Sequence, residues 1–182
     1  KLKPEQLDKR KKMTSKSSLI KAFELPTNNQ IKTFSRGMRM KAALTIALSH
    51  DAKLLILDEA TAGMDVSGRE HVLEILEDYL GDDRAILISS HISEDIEQLA
   101  TQLVFMRDGR IILKESKEVL LSQYGIIDQP VEHFNISNEY LIATRRRNDR
   151  QISLVNNYQK VPDAQPLKTI DDATKIIMRG EV

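Results

Sequence analysis

Apolar residues along this chain recur in two rhythms, and each rhythm predicts an element. Ser18–Glu24 is a run of helix formers, ended by Pro26 and the Asn28–Asn29 pair. Met40, Leu44, Ala47 and Leu48 fall on one face of a helix, with Ser35 placed to cap its start. Lys53–Leu57 is different: it is a short apolar run without polar alternation, which predicts a strand covered on both faces. Val72, Ile75, Leu76 and Leu80 return to the helical period, behind Ser67-Gly68-Arg69-Glu70, which fits a capping box. Gly81 ends that helix. Ala85–Ser89 is a second apolar run, and Ser93 can cap a short helix after it. Leu103–Met106 and Ile111–Leu113 read as strands joined by the Arg107-Asp108-Gly109-Arg110 turn.

Strands that alternate with helices predict an α/β domain built on a parallel sheet. After about residue 116 the pattern changes. Ser116–Tyr124 reads as a helix that Gly125 can end, and Tyr140–Thr144 with Gln151–Val155 reads as a hairpin around the arginines 145–147. Ile170–Arg179 reads as a final helix, so this region is an expected small α+β appendage. At the other end, Glu5–Met13 carries helix formers, and the basic run Asp8–Lys12 reads as a solvated helix face.

Composition narrows the picture. A chain of 182 residues with 41% hydrophobic residues is long enough for one good core with a small appendage. The 27 basic and 27 acidic residues cancel, so global charge names no partner. There is no cysteine, which excludes disulfides and thiol catalysis. No apolar run approaches the length of a membrane span. Aromatics at 4% argue against a base-stacking surface, and no nucleic-acid partner is expected.

The chemistry gathers at Leu54–Asp65, where an apolar strand runs into Asp58 and Glu59. In open α/β folds the carboxyl ends of the strands are where ligands bind. Alternation sends two adjacent side chains in different directions. One carboxylate can then hold a cation such as Mg²⁺ through water, and the other can take a proton from a water aligned on a phosphoryl group. Alone, the stretch equally fits a strand end with two ordinary surface acids. Two neighbours favour the site. His91 stands just after the next apolar strand, and Ser35-Arg36-Gly37 at a helix start offers N–H groups to an anion. His50, His71 and His133 read as structural or surface residues.

These motifs carry a family resemblance. The segment Phe34–Asp108 resembles the nucleotide-binding subunit of ATP-binding cassette (ABC) transporters, most nearly those of bacterial drug, lantibiotic and peptide export. Phe34–Met38 resembles the family's signature sequence, Leu54–Glu59 its Walker B strand, Thr61–Asp65 its D-loop, and Ser89–His91 its switch-histidine loop. The resemblance implies a partial P-loop NTPase (RecA-like) ABC ATPase core with part of the helical subdomain. Its expected segments are 1–50 for the helical subdomain and signature helix, 51–116 for the ATPase core, and 117–182 for the α+β accessory region. It also implies roles. Asp58 would organise Mg²⁺, Glu59 would polarise the attacking water, and His91 would contact the γ-phosphate. Ser35 and Gly37 would touch ATP held by the opposite subunit, and Asp65 would sit at the dimer seam. The implied partners are a second ATPase subunit and an integral-membrane permease, at the cytoplasmic face of the cell membrane.

The sequence also departs from the family. Arg36 and Met38 replace the usual Gly and Gln of the signature, and Ala60 stands where Pro is common. None of the seven glycines, at 37, 63, 68, 81, 109, 125 and 180, is followed by Lys, so the chain holds no G-x-x-x-x-G-K-[ST] loop. It therefore reads as the carboxy-terminal portion of a longer ATPase, inactive alone, with apolar strand edges open to pairing. The alternative is a non-catalytic binding or regulatory module on the same fold. Relatives that act on chromosomes or ribosomes fit less well, since neither long heptads nor a second signature is present.

Overall fold

A computed structural model describes residues 15–50 and 52–181; the expected helix at Glu5–Met13 and the basic run Asp8–Lys12 lie outside them. The chain divides into two compact units, one up to Asp95 and one from Ile96.

In the first unit, α1 (Lys16–Ala22) begins at Ser15, whose hydroxyl accepts the Ser18 N–H at 3.2 Å. It buries Leu19, and Phe23 beyond its end is also buried. Helix α2 (Arg36–Leu48) starts at Ser35 as expected, the Ser35 hydroxyl accepting the Met38 N–H at 3.2 Å. Its inward face is Leu44, Thr45 and Leu48. Strands β1 (Leu54–Asp58) and β2 (Ala85–Ser89) pair in parallel, in register from Leu54 opposite Ala85 to Asp58 opposite Ser89. Between them runs α3 (Val66–Tyr79), which buries Val72, Leu73, Leu76 and Tyr79.

Two expectations are corrected in this unit. The capping residue of α3 is Asp65, not Ser67: the Asp65 carboxylate accepts the Gly68 N–H at 2.9 Å, and Ser67 already lies within the helix. Both residue types cap well, so the one that stands where the chain leaves extended backbone takes the role. Strand β1 is also not covered on both faces. Leu55 is 5% exposed, whereas Leu54 and Ile56 are 54% and 72% exposed. On the same face, Leu87 of β2 is exposed as well. Among the described residues this parallel sheet has two strands, and only one of its faces carries a core. An apolar run records what a strand can bury, not which neighbours are present.

Helix α4 (Ser93–Leu99) carries the division between the units. In the second unit, β3 (Gln102–Arg107) and β4 (Arg110–Ser116) form an antiparallel hairpin. Asp108 and Gly109 both have positive φ, 50° and 73°, as a tight turn between twisted strands requires. This hairpin, expected with the ATPase core, packs instead in the core of the second unit, where Leu103 and Phe105 join Leu120, Leu154 and Ile177. Helix α5 (Lys117–Gln123) starts at Ser116, and Tyr124 closes it. A four-stranded sheet follows, ordered β6 (Leu141–Arg147), β7 (Arg150–Val155), β5 (Gly125–Pro130), β8 (Gln165–Pro166). Helix α6 (Ile170–Arg179) has the expected bounds, is capped by Thr169, and buries Ile170, Ala173, Ile176 and Ile177.

Candidate functional site

The parallel register of β1 and β2 brings their carboxyl ends side by side. Asp58 is the last residue of β1, and its partner across the sheet is Ser89. The Ser89 hydroxyl donates to Asp58 Oδ1. The chain then turns sharply, and Glu59 has φ of 51°, in the left-handed region. The Glu59 N–H donates to the Ser89 carbonyl at 3.1 Å, so the turn is held by the neighbouring strand. Two residues past β2, His91 Nδ1 lies 2.6 Å from Glu59 Oε2.

The two carboxylates therefore have different partners. Asp58 accepts a serine hydroxyl, and Glu59 meets an imidazole. The His91 ring is 73% exposed and the Glu59 side chain 36%, so the pair stands at the surface and open to a ligand. Among the described residues, no three or more His, Asp or Glu side chains gather as a protein-only metal cage would need. An oxygen donor at a strand end suits Mg²⁺ nonetheless, because that ion is commonly held through water by one or two carboxylates together with substrate phosphates. Asp58 fits that manner of binding.

A second group forms around the start of α2. A Cβ placed on Gly37 would lie 3.5 Å from Met64 Cγ and 3.6 Å from the Gly63 carbonyl oxygen. Gly63 has φ of 78°, and a Cβ there would come within 2.7 Å of Arg36 Cδ. The turn Ser35-Arg36-Gly37 is thus packed on the loop Gly63–Met64 that leads to Asp65. Arg36, which departs from the family's usual glycine, lays its side chain over Gly63. The hydroxyl of Ser35 and the carboxylate of Asp65 each cap their own helix. Ser35, Gly37 and Asp65 belong to this group, and Asp58, Glu59 and His91 to the first.

Four polar residues to which the sequence motifs assign no role of their own adjoin the first group. Asp95 is fully buried, and it accepts the hydroxyls of Thr61 and Ser90. Arg69 Nε lies 3.4 Å from its other oxygen. The only sign in the sequence is the hydroxyl-rich composition of the loops on either side of His91.

The βαβ unit, whose first strand ends in Asp-Glu and whose second leads to a histidine, has the fold of solved ATP-binding cassette subunits. A solved ATP-binding subunit of an ABC transporter superposes with a TM-score of 0.53 at 24% identity, covering 65% of this chain and 48% of that one. The dimeric structure of MJ0796, a bacterial ABC transporter cassette, does so at 0.51 and 18%, covering 64% and 49%.

Residues 5–62 match the family model described as ABC transporter. The lantibiotic transport ATP-binding protein SrtF of Streptococcus pyogenes is 37% identical over 116 residues, 64% of this chain and 47% of that protein. The linearmycin resistance ATP-binding protein LnrL of Bacillus subtilis is 32% identical over 120 residues, 64% of this chain and 38% of that protein. Over part of its length the chain is thus similar to ABC transporter ATP-binding proteins, and it spans half or less of the length of these relatives.

Proposed function

We propose that this chain is part of an ATP-hydrolysing subunit that powers export of a drug, peptide or lipid-like substrate through a separate integral-membrane permease. The observation that carries the proposal is the contact between Glu59 Oε2 and His91 Nδ1, 2.6 Å, beside Asp58 at the same sheet edge. The transport and resistance functions in the names of SrtF and LnrL support the export type.

Each residue then takes a role in this proposal. Glu59 accepts the proton of the attacking water. With Nδ1 of His91 engaged by Glu59, Nε2 is the nitrogen left to meet the γ-phosphate. Asp58, held by the Ser89 hydroxyl, offers its carboxylate to the water shell of Mg²⁺, which when bound would neutralise charge on the phosphates. Ser35 and Gly37, at the N-terminus of α2, face ATP on a second ATPase subunit, and Asp65 lies at the seam between the two. Such a subunit works at the cytoplasmic face of the cell membrane; no helix among the described residues is long and apolar enough to cross a membrane.

The β-phosphate requires amides and a lysine of the kind a P-loop supplies, and these residues contain none. The chain alone is therefore expected to hydrolyse no ATP. The same observation favours a second reading, a regulatory module that keeps the fold without the reaction. The test is made on the full-length ATPase. Glu59→Gln is expected to lower ATP turnover by at least about 10²-fold, the usual scale for a general base. Turnover at the wild-type rate removes Glu59 from the reaction, whereas no turnover by the unsubstituted full-length protein leaves the regulatory reading.

A further inference from the structure

We infer that Asp95 is a positioning residue: its buried carboxylate ties the turn that begins at Glu59 to the loop that presents His91. The inference rests on the proposed roles of Glu59 and His91. Asp95 is 0% exposed, yet it makes no contact that the proposed reaction uses. Its Oδ2 accepts two hydroxyls. One is that of Thr61, itself buried, two residues after Glu59. The other is that of Ser90, at 3.3 Å, the residue before His91. The Ser90 oxygen also accepts the Ile92 N–H at 3.0 Å, which turns its hydrogen toward Asp95.

The chemistry of the node is specific. A buried carboxylate needs donors for its oxygens, and an ionised one accepts without donating. Two hydroxyls use the capacity of Oδ2, while Oδ1 is buried without a hydrogen-bond donor. Arg69 Nε, 3.4 Å from Oδ1, supplies the opposite charge from within α3. Thr61 is also part of the turn itself: its carbonyl accepts the Met64 N–H at 3.2 Å, and the Glu59 carbonyl accepts the Ala62 N–H at 3.0 Å. Moving Thr61 therefore moves the peptide that carries Glu59. Moving Ser90 moves the peptide that carries His91. One carboxylate fixes both, and the 2.6 Å contact between base and histidine depends on their separation.

The alternative is a buried ion pair that only holds the unit together. Steady-state ATP hydrolysis by the full-length ATPase separates the two. Thr61→Val keeps the shape and removes the hydroxyl. It is expected to lower kcat by about 10- to 100-fold, the scale of a small misplacement of a catalytic group. The KM for ATP should stay within about threefold, and Thr61→Ser should restore kcat. Ser90→Ala should act in the same direction, and the two losses should not add in the double variant, because they share Asp95. Asp95→Asn is the direct test; should it fail to fold, the Thr61 and Ser90 variants decide. If those two variants keep kcat within about twofold while Glu59→Gln loses it, the positioning role falls and the proposed function stands. A change in KM alone, or full additivity, also overturns it. If Glu59→Gln runs at the wild-type rate, the proposed function falls first, whatever Thr61 does.

Discussion

Leu55 and Ile56 are neighbours in β1 on opposite faces of the sheet, and they should respond very differently to truncation. Leu55 is 5% exposed, so Leu55→Ala removes a packed side chain and leaves a cavity. Core changes of this kind cost about 2–5 kcal/mol. Ile56 is 72% exposed. Full burial of such a side chain is worth about 1.5–3 kcal/mol, and about a quarter of it is covered, so Ile56→Ala should cost about 0.4–0.8 kcal/mol. With a urea m-value of about 2 kcal/mol/M, the first change lowers the unfolding midpoint by at least about 1 M and the second by less than about 0.5 M. The assay is urea unfolding of the 182-residue chain followed by far-ultraviolet circular dichroism, at two protein concentrations well apart. Equal losses at the two positions would refute the one-sided sheet. Equal losses together with a midpoint that rises with concentration would mean that a second copy covers Leu54, Ile56 and Leu87.

The cap of α3 gives another test: Asp65→Ala should cost about 1 kcal/mol of stability, and Ser67→Ala less than about 0.5 kcal/mol, read from the same unfolding curves. In the second unit, a Cβ on Gly125 would lie 2.4 Å from Tyr158 Cβ and 2.5 Å from the Gln165 carbonyl oxygen. Gly125→Ala should therefore destabilise by about 1–3 kcal/mol through overpacking, seen as a lower Tm. Burial pushes the Tyr124 phenol up to about 12, and the charge of Glu115 and a hydrogen bond to it act in the same direction. The folded value lies above the unfolded value of about 10, so the stability tied to this phenol is whole below about pH 10 and is lost as the pH climbs toward 12. Phenolate absorbance should show a late-titrating step that Tyr124→Phe removes.

The sequence made local structure legible wherever a single residue decides it. The Arg107–Arg110 turn, the cap at Ser35 and both ends of α6 follow from side chains that act on their own backbone. Asp65 and Ser67 show the limit, since two capable caps stand two residues apart and only the path of the chain chooses between them. No strand is expected at β5 because Gly125 reads as a helix stop; it sits at the start of the strand, where the sheet tolerates it. The hairpin β3–β4 is legible from its turn, but its side chains pack with α6, about 60 residues further along, and no local pattern reports that. The candidate site divides in the same way. Asp58, Glu59 and His91 follow apolar runs and stand out by position. Asp95 follows none, and its importance comes from Thr61 and Ser90, which the fold brings to it.

The backbone at Glu59 has a consequence for anyone who would engineer this protein. With φ at 51°, the position suits glycine or asparagine better than glutamate. Holding a longer side chain there costs about 1 kcal/mol or more. A library screened for heat tolerance would therefore enrich Gly or Asn at this position, and every winner would lack the proposed base. Thermal selection and catalytic selection pull residue 59 in opposite directions, so a stabilised variant should be sequenced here before its turnover is measured.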